Sequence, residues 1–569
     1  MQVKKTISII LVYVLCFSLL AGCGQKKDAV SQNDTKQAEN QTEEKTDTQE
    51  KLEPIEFTMF CYDRNENYEN FESPVAQKIK EKTGVTLKIE YPVGDPEQKI
   101  GVMLASGEYP DFIFAKTSQT KFISSGIFLK LDDLIEKHGP NIKKLYGDYL
   151  KRLRYSLEDP SIYVLGTYGV YEEKWEPEKG FQLQHAVVKE LGFPKLKTLK
   201  DFEEAIKAYM VKHPTIDGQP TIPLSLIADD WRLFIGVENP AVFATGGPDD
   251  GHWYVDPETQ EATLHFFRPE EREYFRWLNH MNNVGLLDPE SFVQKYDQYI
   301  AKIASGRVLA LADAYWNYHW NAEMTLKQDG KEERMYGMYP LVLNEGIKIK
   351  EFQSPGYSAG WGIGITNTVK DPVRAIKFFD FLASDEGQIL THWGIEGVHY
   401  NIVNGKRVLT EEQKRARREK NFSKETGVGV YGYPFPERGV GATDETGQLY
   451  TPTTKETIKE GYTDIEKEVL TAYGVEMWMD LYPSRNEFPV KPWGAAWQIN
   501  LPGDSEAQVI FTKCEDIMKK RLPQAILAKP ADFDKAYDAF LAELKAAGAQ
   551  KLEQEFNKLL KERIQLWNK

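Results

Sequence analysis

Residues 55–91 read IEFTMFCYDRNENYENFESPVAQKIKEKTGVTLKIEY, and they set the fold class of the chain. Apolar and polar side chains alternate from Pro54 to Tyr62, which predicts a first strand. Apolar residues at helical spacing then predict a helix over residues 75–82 that stops at Gly84. A second strand is expected over residues 85–91. The stretch therefore predicts the strand–helix–strand unit of an α/β fold.

The same alternation continues downstream of this unit. Residues 98–106 have the spacing of a helix that ends at Gly107, and Phe112-Ile113-Phe114 is a short buried strand. Strands that alternate with helices are typical of a parallel sheet. Further predictions are two helices between residues 182 and 211, a hairpin at 252–255 and 262–266, a helix over 270–284, a loop excursion over 401–460, and two C-terminal helices over 532–567 broken at Gly548.

The composition limits the classes of function. With 569 residues, of which 41% are hydrophobic, the chain is expected to form two or more domains with sizeable cores. The formal net charge of −15 argues against a general nucleic-acid binder, which needs a basic face to neutralise phosphate. The four cysteines show no C-x-x-C spacing, so a structural zinc site built on thiolates is not expected.

The N-terminus has the pattern of an export signal. Lys4 and Lys5 precede an apolar run over residues 7–20, which is too short to span a membrane and is typical of a secretory signal peptide. Leu20-Ala21-Gly22-Cys23 resembles the bacterial lipobox, which implies a signal peptide over residues 1–22 and acylation (palmitate) of Cys23. The polar stretch over residues 23–53 is predicted to be a disordered tether. The alternative is an ordinary signal peptide with an incidental cysteine.

Two motifs that suggest catalysis or phosphate binding lie in the wrong context. Gly356-Tyr357-Ser358-Ala359-Gly360 matches G-x-S-x-G, but a nucleophile elbow needs a helix after the serine, and residues 361–366 alternate like a strand. Residues 427–432 match G-x-G-x-x-G, but Pro434 and Pro436 follow where a phosphate-binding helix would open. Residues 427–432 are therefore interpreted as a loop, and no catalytic residue is predicted.

No metal site or cofactor is predicted. The nine histidines are scattered, and His392 and His399 are too far apart for ligation from one face of a helix. Residues 214–220 contain one carboxylate, Asp217, whereas calcium needs six to eight oxygen ligands. Calcium is therefore not expected at this loop.

Four stretches in order resemble one protein family, the large lipid-anchored extracellular solute-binding proteins of bacterial carbohydrate ABC importers (family 1 solute-binding proteins). The most extensive runs from Gly362 to Tyr400 and includes Ile365-Thr366-Asn367, Asp385-Glu386-Gly387 and Gly394-Ile395-Glu396-Gly397. The other three are Ser106-Gly107-Glu108-Tyr109-Pro110-Asp111-Phe112, residues 274–292 with Gly285-Leu286-Leu287-Asp288-Pro289, and Ser305-Gly306-Arg307-Val308.

The resemblance implies a two-lobed periplasmic-binding-protein-like α/β fold (type II) with a ligand cleft between discontinuous lobes. Residues 54–165 and 362–488 would form the first lobe, and residues 166–361 and 489–569 the second. Crossings between lobes are expected near residues 163–166, 361–365 and 489–493. The resemblance also implies a lipid-anchored, extracytoplasmic protein that captures a carbohydrate, in this family an oligosaccharide, by cleft closure and delivers it to ABC permease subunits.

Aromatic residues in turn-rich stretches give an independent argument for sugar binding. A sugar ring has an apolar C–H face and a polar rim, so it is bound by aromatic platforms together with hydrogen-bonding side chains. Trp253 and Trp497 are aromatics in such stretches, and Asp229 and Asp230 are carboxylates that could bind sugar hydroxyls. The predicted ligand-binding candidates are Asp63, Arg64, Asp111, Trp231, Tyr315, Trp316, Trp320, Trp361, Trp393, Glu396, Tyr400 and Trp493.

Two other functions remain open at this point. A lipid-anchored glycoside hydrolase would also use a Trp-rich cleft and paired carboxylates. A receptor or sensor of the same fold for a non-sugar solute is the other alternative. The resemblance favours a monomeric receptor without enzymatic activity, whose partners are a carbohydrate, permease subunits and the membrane, with no nucleic acid.

Overall fold

The structure is a computed structural model that describes residues 53–171, 173–503 and 505–568. The predicted signal peptide, Cys23 and all but the last residue of the tether lie outside the described residues. The described residues form one compact unit. Among the described helices, none combines the length and apolar character needed to cross a membrane.

Most strands belong to two separate sheets. The first sheet has the order β2-β1-β3-β13-β4 and the second the order β12-β5-β11-β8. The strands are β1 (Ile55–Cys61), β2 (Val85–Glu90), β3 (Phe112–Phe114), β4 (Val164–Gly166), β5 (Lys179–Gln184), β6 (Thr215–Ile216), β7 (Gln219–Pro220), β8 (Ile222–Ser225), β9 (Trp253–Val255), β10 (Ala262–Leu264), β11 (Val308–Ala314), β12 (Tyr336–Tyr339), β13 (Gly362–Ile365), β14 (Asn401–Val403) and β15 (Lys406–Val408).

Helices connect and flank these strands. They are α1 (Pro74–Thr83), α2 (Pro96–Ser106), α3 (Gln119–Ser124), α4 (Asp132–His138), α5 (Pro140–Tyr146), α6 (His185–Glu190), α7 (Leu199–Lys212), α8 (Asn239–Ala244), α9 (Pro269–Asn283), α10 (Tyr296–Ala304), α11 (Tyr315–Tyr318), α12 (Met324–Gln328), α13 (Pro372–Ala383), α14 (Asp385–His392), α15 (Glu411–Ala416), α16 (Phe422–Thr426), α17 (Lys455–Gly461), α18 (Asp464–Tyr473), α19 (Glu506–Ile526), α20 (Phe533–Ala547) and α21 (Ala549–Asn568).

The first sheet begins as the sequence predicts. Strand β1 pairs in parallel with β2 and with β3, while β13 runs antiparallel to both β3 and β4. Ser73 caps the start of α1, and Gly84 ends this helix in the left-handed conformation that glycine adopts at low cost. The predicted strand–helix–strand–helix–strand order over residues 54–114 is confirmed.

The second sheet corrects one prediction. Residues 182–184, predicted as helix, are the end of β5, which pairs antiparallel with β11 and β12. The buried Gln182 side chain donates to the carbonyl of Asp313 (2.7 Å) and accepts from its N–H (3.1 Å). These bonds hold a polar residue inside the sheet. The sequence of this strand therefore lacks the apolar pattern by which a buried strand is recognised. The predicted hairpin (β9–β10) and the two helices broken at Gly548 are confirmed.

The largest apolar core belongs to the second sheet and extends into the C-terminal helices α19, α20 and α21. It includes Tyr462, Leu470 and Trp478, whereas the predicted boundary put residues up to 488 in the first lobe. Trp478 stacks on His185 (5.6 Å between ring centroids) and contacts Tyr339 of β12. In this structure the chain from Tyr462 to Trp478 therefore packs with the second sheet.

Candidate functional site

Functional side chains of open α/β sheets gather beyond the carboxyl ends of their parallel strands. In the first sheet, Tyr62 and Asp63 follow β1, Lys116 follows two residues after β3, and Tyr168 follows two residues after β4. Trp361 comes directly before β13, which is antiparallel, and so lies at the same edge. These five residues, together with Trp497, are called the first-sheet group.

Lys116 organises the first-sheet group. Its Nζ lies 2.7 Å from Asp63 Oδ1 and stands over the rings of Tyr62 (5.1 Å) and Trp361 (5.3 Å). Tyr433 donates its hydroxyl to Asp63 Oδ2 at 2.7 Å. The Asp63 carboxylate and the Lys116 ammonium are thereby held at the rim of an aromatic surface, where both can hydrogen-bond to a ligand hydroxyl.

Three aromatic rings form the wall of this group. Trp361 and Trp497 lie 4.9 Å apart at 65°, and Tyr168 lies 6.5 Å from Trp361 and 6.3 Å from Trp497. Tyr168 and Lys116 have positive φ angles of 68° and 47°. Residues other than glycine rarely adopt this conformation, and it is concentrated at binding and catalytic sites.

The second sheet presents a comparable edge. Trp231 follows β8, and Tyr315 and Trp316 follow β11, which runs parallel to β8. Trp231 and Trp316 stack at 5.9 Å with 21° between their planes, and they remain 44% and 50% exposed. A stacked pair that stays half exposed offers an aromatic platform to a ligand. Trp231, Arg232, Tyr315, Trp316 and Trp320 are called the second-sheet group.

Arg232 fixes the position of this platform. Its guanidinium lies 4.6 Å from the ring of Trp231 and 3.9 Å from that of Tyr296. Its Nε donates to Asn317 Oδ1 at 3.1 Å. Asn317 in turn donates to the buried carboxylate of Asp313, whose pKa burial raises to about 6. The platform therefore rests on a polar network anchored at the end of β11.

The remaining members of the second-sheet group surround His319. Tyr315 stacks on His319 at 4.1 Å, and Trp320, which is 61% exposed, meets the same ring edge-on at 4.9 Å. His319 Nδ1 lies 2.8 Å from Glu323 Oε2. Tyr315 and Trp320 thus extend the aromatic surface of Trp231 and Trp316.

The two groups lie within electrostatic reach of each other. Burial raises the pKa of Tyr62, and the carboxylates of Glu97, Asp63, Asp95 and Asp230 raise it further. Asp230 belongs to the second-sheet edge, directly before Trp231, and has a positive φ of 56°. The Asp230 carboxylate, at the edge of the second sheet, is therefore near enough to Tyr62, at the edge of the first sheet, to act on its hydroxyl.

Arg64 borders the site, and the other predicted residues lie outside it. Arg64 is exposed next to Asp63. Asp111 lies at the opposite end of β3, where Oδ2 accepts from the N–H (2.8 Å) and hydroxyl (2.9 Å) of Thr58 and ties β1 to β3. Because these bonds account for its carboxylate, we do not retain Asp111 in the site.

Four further candidates are also outside both groups. Trp393 is buried, donates to the carbonyl of Leu449 (3.1 Å) and packs edge-on against the buried Tyr400. Glu396 is exposed in the turn between them. Trp493 is buried and its Nε1 lies 3.3 Å from Asp250 Oδ1. Trp393, Tyr400 and Trp493 pack as core residues, and Glu396 lies in the turn between two of them. We therefore do not retain these four either.

Trp497 was noted in the sequence only as a further aromatic, and four residues of the two groups were not noted at all: Tyr62, Lys116, Tyr168 and Arg232. Each comes within two residues of a strand end or directly follows a candidate. Once the strands are assigned, the residues just beyond their carboxyl ends are the signal that would have found Tyr62, Lys116 and Tyr168.

Comparison with known proteins identifies the family of the chain. A sequence model of the family described as bacterial extracellular solute-binding protein matches residues 75–398. The fructooligosaccharide ABC transporter substrate-binding protein FusA of Streptococcus pneumoniae is 24% identical over 257 residues, 41% of this chain and 44% of FusA. Lipoprotein LipO of Bacillus subtilis is 23% identical over 357 residues, 60% of this chain and 66% of LipO. The matched regions thus span less than two thirds of either relative.

A solved structure covers the chain more completely. FusA of Streptococcus pneumoniae in complex with kestose has a TM-score of 0.60 and 16% identity, and the superposition covers 89% of this chain and 99% of FusA. The predicted two-lobed periplasmic-binding-protein-like α/β fold is confirmed by this likeness.

Proposed function

The chain belongs to the bacterial extracellular solute-binding proteins, and from that premise we propose that it binds an oligosaccharide in the inter-lobe cleft and delivers it to an ABC importer. The observation that carries the proposal is the pair of aromatic groups, one at the edge of each sheet. Each group combines exposed rings with a charged side chain at the rim, Lys116 in one and Arg232 in the other. This is the combination that the C–H faces and hydroxyls of successive sugar rings require. FusA and its kestose complex support a carbohydrate ligand.

The mechanism follows from the position of the two groups. The first-sheet group contains Trp497, which comes from the C-terminal part of the chain, and the second-sheet group lies at the ends of β8 and β11. We expect the lobes to close on a sugar that stacks on Trp231 and Trp316, because closure would add contacts with Trp361. Ligand binding therefore favours the closed form, and the closed form is the state that permease subunits would select.

The proposed location is outside the cytoplasm on a lipid anchor. The Leu20-Ala21-Gly22-Cys23 sequence and the similarity to lipoprotein LipO support this part of the proposal. Cys23→Ala is expected to shift the protein from the membrane fraction to the soluble fraction. Retention of the variant in the membrane fraction would contradict a lipid anchor at Cys23.

The discontinuous lobes are part of the same proposal. Residues 54–165 and the segment from 362 would form the first lobe, and residues 166–361 and 489–569 the second. The packing of Tyr462, Leu470 and Trp478 against the second sheet supports an additional crossing before Tyr462. The crossings proposed near residues 163–166 and 361–365 coincide with β4 and β13, which lie at one side of the first sheet.

We propose binding without turnover. A glycosidase needs one carboxyl group with a raised pKa as the acid, next to a second carboxylate. At the cleft, Asp63 is paired with Lys116, and Asp230 Oδ1 lies 3.4 Å from Lys519 Nζ. Although burial opposes it, hydrogen bonds from Lys295 and from the N–H of Tyr296 lower the pKa of Asp229. Asp229 is therefore set up as a hydrogen-bond acceptor. Asp313, whose pKa is raised, is buried and accepts hydrogen bonds from Asn317 and Tyr299.

The test is thermal unfolding of residues 53–569 with Trp fluorescence, against kestose and a panel of plant, host and microbial oligosaccharides. This segment is suitable because the four apolar clusters of the described residues draw their members from residues 55–564. A ligand at 100 times its dissociation constant is expected to add about 2.7 kcal/mol to stability. Recovery of the intact glycan by mass spectrometry establishes a receptor, and cleavage products would establish a hydrolase. If no glycan moved the melt, the carbohydrate ligand would be rejected.

A further inference from the structure

Two histidines and a glutamate meet inside the second lobe, away from both aromatic groups. His252 comes directly before β9 and His265 directly after β10, so the hairpin brings them to the same end. Glu238 lies at the end of the π-helical turn Phe234–Glu238. The side chains of Glu238 and His265 are 1% and 0% exposed, and that of His252 is 17% exposed.

The three donor atoms converge on one point. Glu238 Oε2 lies 2.7 Å from His252 Nδ1 and 3.5 Å from His265 Nε2, and all three donor atoms lie within 4.8 Å of one another. Ligand bonds of about 2.0–2.1 Å in a tetrahedral zinc site separate neighbouring donor atoms by about 3.3 Å. The observed spacing needs only small side-chain movements to reach this geometry.

The outer nitrogen of each histidine faces a carboxylate. His265 Nδ1 contacts Glu271, which is itself held by Arg268 Nη1 at 2.9 Å, and His252 Nε2 lies 3.8 Å from Glu515 Oε1 of α19. Metal-binding histidines nearly always donate their other N–H to a carboxylate, a carbonyl or water. Both histidines therefore have the outer partners that would orient a metal ligand.

An unpartnered atom points into the cluster. His265 Nε2 is buried and has no hydrogen-bond partner among the described residues. A buried nitrogen without a partner is costly, and a metal ion at this point would satisfy it. This observation is independent of the arrangement of the carboxylates.

We propose that Glu238, His252 and His265 form a structural site for a divalent transition-metal ion, with Zn²⁺ as the favoured occupant. Imidazole and carboxylate ligands suit Zn²⁺, whereas Ca²⁺ and Mg²⁺ prefer an all-oxygen shell. The ion would fasten the β9–β10 hairpin to the turn at Glu238 and, through Glu515, to α19. The sequence predicted no metal because His252 and His265 are brought together by the hairpin and not by a spacing motif.

The test uses the full chain, purified in mild detergent without a polyhistidine tag and treated with EDTA. Isothermal titration with ZnCl₂ is expected to give one site per chain, and Co²⁺ is expected to give the visible absorption of a tetrahedral complex. Zn²⁺ is also expected to raise the melting temperature, while Ca²⁺ and Mg²⁺ leave it unchanged. If the EDTA-treated wild-type chain binds no Zn²⁺, the proposal is wrong.

Two variants separate metal binding from a buried ion network. His265→Gln is expected to abolish the Co²⁺ spectrum, and Glu515→Gln, at a half-exposed outer position, to weaken Zn²⁺ binding by about 10- to 100-fold. The matched control is His213→Gln, which removes an exposed histidine whose Nε2 lies 2.5 Å from Glu190 Oε2 in the same lobe. This control is expected to retain wild-type affinity. An equal loss of Zn²⁺ affinity in His213→Gln would place the metal elsewhere and overturn the proposal. So would an unchanged Zn²⁺ affinity in Glu515→Gln together with an unchanged Co²⁺ spectrum in His265→Gln.

Discussion

Trp316 is the residue whose loss should report most directly on ligand capture. It is half exposed and stacked on Trp231, so replacing it by alanine removes one ring of the platform without opening a core. For Trp316→Ala we expect a loss of about 1–2 kcal/mol in glycan affinity, which is roughly 5- to 30-fold in Kd. Isothermal titration with the glycan found in the thermal screen measures the change.

Val211→Ala is the matched control for this variant. Val211 is 77% exposed on α7 of the same lobe, so its truncation also removes exposed apolar surface. We expect it to leave both glycan affinity and melting temperature unchanged. If Trp316→Ala bound the glycan as tightly as Val211→Ala, the second-sheet group would not be part of the site.

His185 should make stability depend on acidity. Burial lowers its pKa to about 3, whereas an unfolded histidine titrates near 6.5. As pH falls below 6.5 the unfolded chain takes up the proton first, so stability is full above pH 6.5 and is lost progressively towards pH 3. From pH 7 to pH 4.5, the free energy of unfolding is expected to fall by roughly 2–3 kcal/mol less in His185→Phe than in the wild type. Urea denaturation at the two pH values measures it.

The control for His185→Phe is His280→Phe. The side chain of His280 is 51% exposed, and we expect its replacement to leave the pH dependence of unfolding as it is in the wild type. A residual dependence should persist in His185→Phe because burial also lowers the pKa of His392, to about 4. Equal pH dependence in wild type and His185→Phe would show that His185 is not buried in its neutral form.

At the scale of elements, Asp380 joins two helices whose buried residues share one core with the first sheet. It lies on α13 and its Oδ1 accepts from the N–H groups of Asn141 (2.7 Å) and Ile142 (2.9 Å) in the first turn of α5. Because Asp380→Ala leaves these donors without their charged acceptor, we expect it to cost about 2–4 kcal/mol. Urea unfolding at pH 7 measures this cost.

Asp95→Ala serves as the comparison for Asp380→Ala. Asp95 is an exposed N-cap of α2 and accepts one bond, from the N–H of Glu97 at 2.9 Å. Its loss is expected to cost about 1 kcal/mol, since water can replace it. Equal costs for the two variants would mean that the Asp380 bonds add nothing beyond an ordinary helix cap.

Elements with their own periodic pattern were predictable from the sequence. The region from β1 to β3 and the break at Gly548 carry strong apolar spacing and glycine stops, and the structure confirms them. The end of β5 was not predictable because Gln182 and Gln184 are polar and yet buried. Their side-chain amides donate to distant carbonyls, that of Gln182 to Asp313 and that of Gln184 to Gly306. Local pattern does not encode partners that lie more than a hundred residues away.

The candidate site was predictable only in part for a related reason. Trp231, Trp316 and Trp361 were selected as aromatics in turn-rich stretches, and the structure places them at sheet edges. Trp393 and Trp493 occur in similar stretches, yet they are buried against Tyr400 and Asp250. Exposure of a tryptophan depends on what the fold packs over it, and sequence alone does not supply this.

At the scale of the whole molecule, the acidic balance limits the kind of glycan. The formal net charge is −15, and the cleft carries Asp63, Asp229 and Asp230 beside Lys116 and Arg232. Each of these carboxylates is paired with a lysine, Asp63 with Lys116, Asp229 with Lys295 and Asp230 with Lys519, so these charges balance except for Arg232. The arrangement therefore fits a neutral oligosaccharide better than an anionic polysaccharide.

Closure of the lobes is the last expected property. For a compact monomer of the size of residues 53–569, the radius of gyration is expected to be about 24 Å. A saturating glycan should reduce it, because Trp361 and Trp316 lie at the edges of different sheets and closure would bring both onto one ligand. Small-angle X-ray scattering with and without the glycan measures this.

In Trp316→Ala at the same glycan concentration, weaker binding should leave more of the protein open. A rise in melting temperature with no change in scattering would mean that the glycan binds one lobe alone, and closure would then have to be abandoned as the signal to the permease.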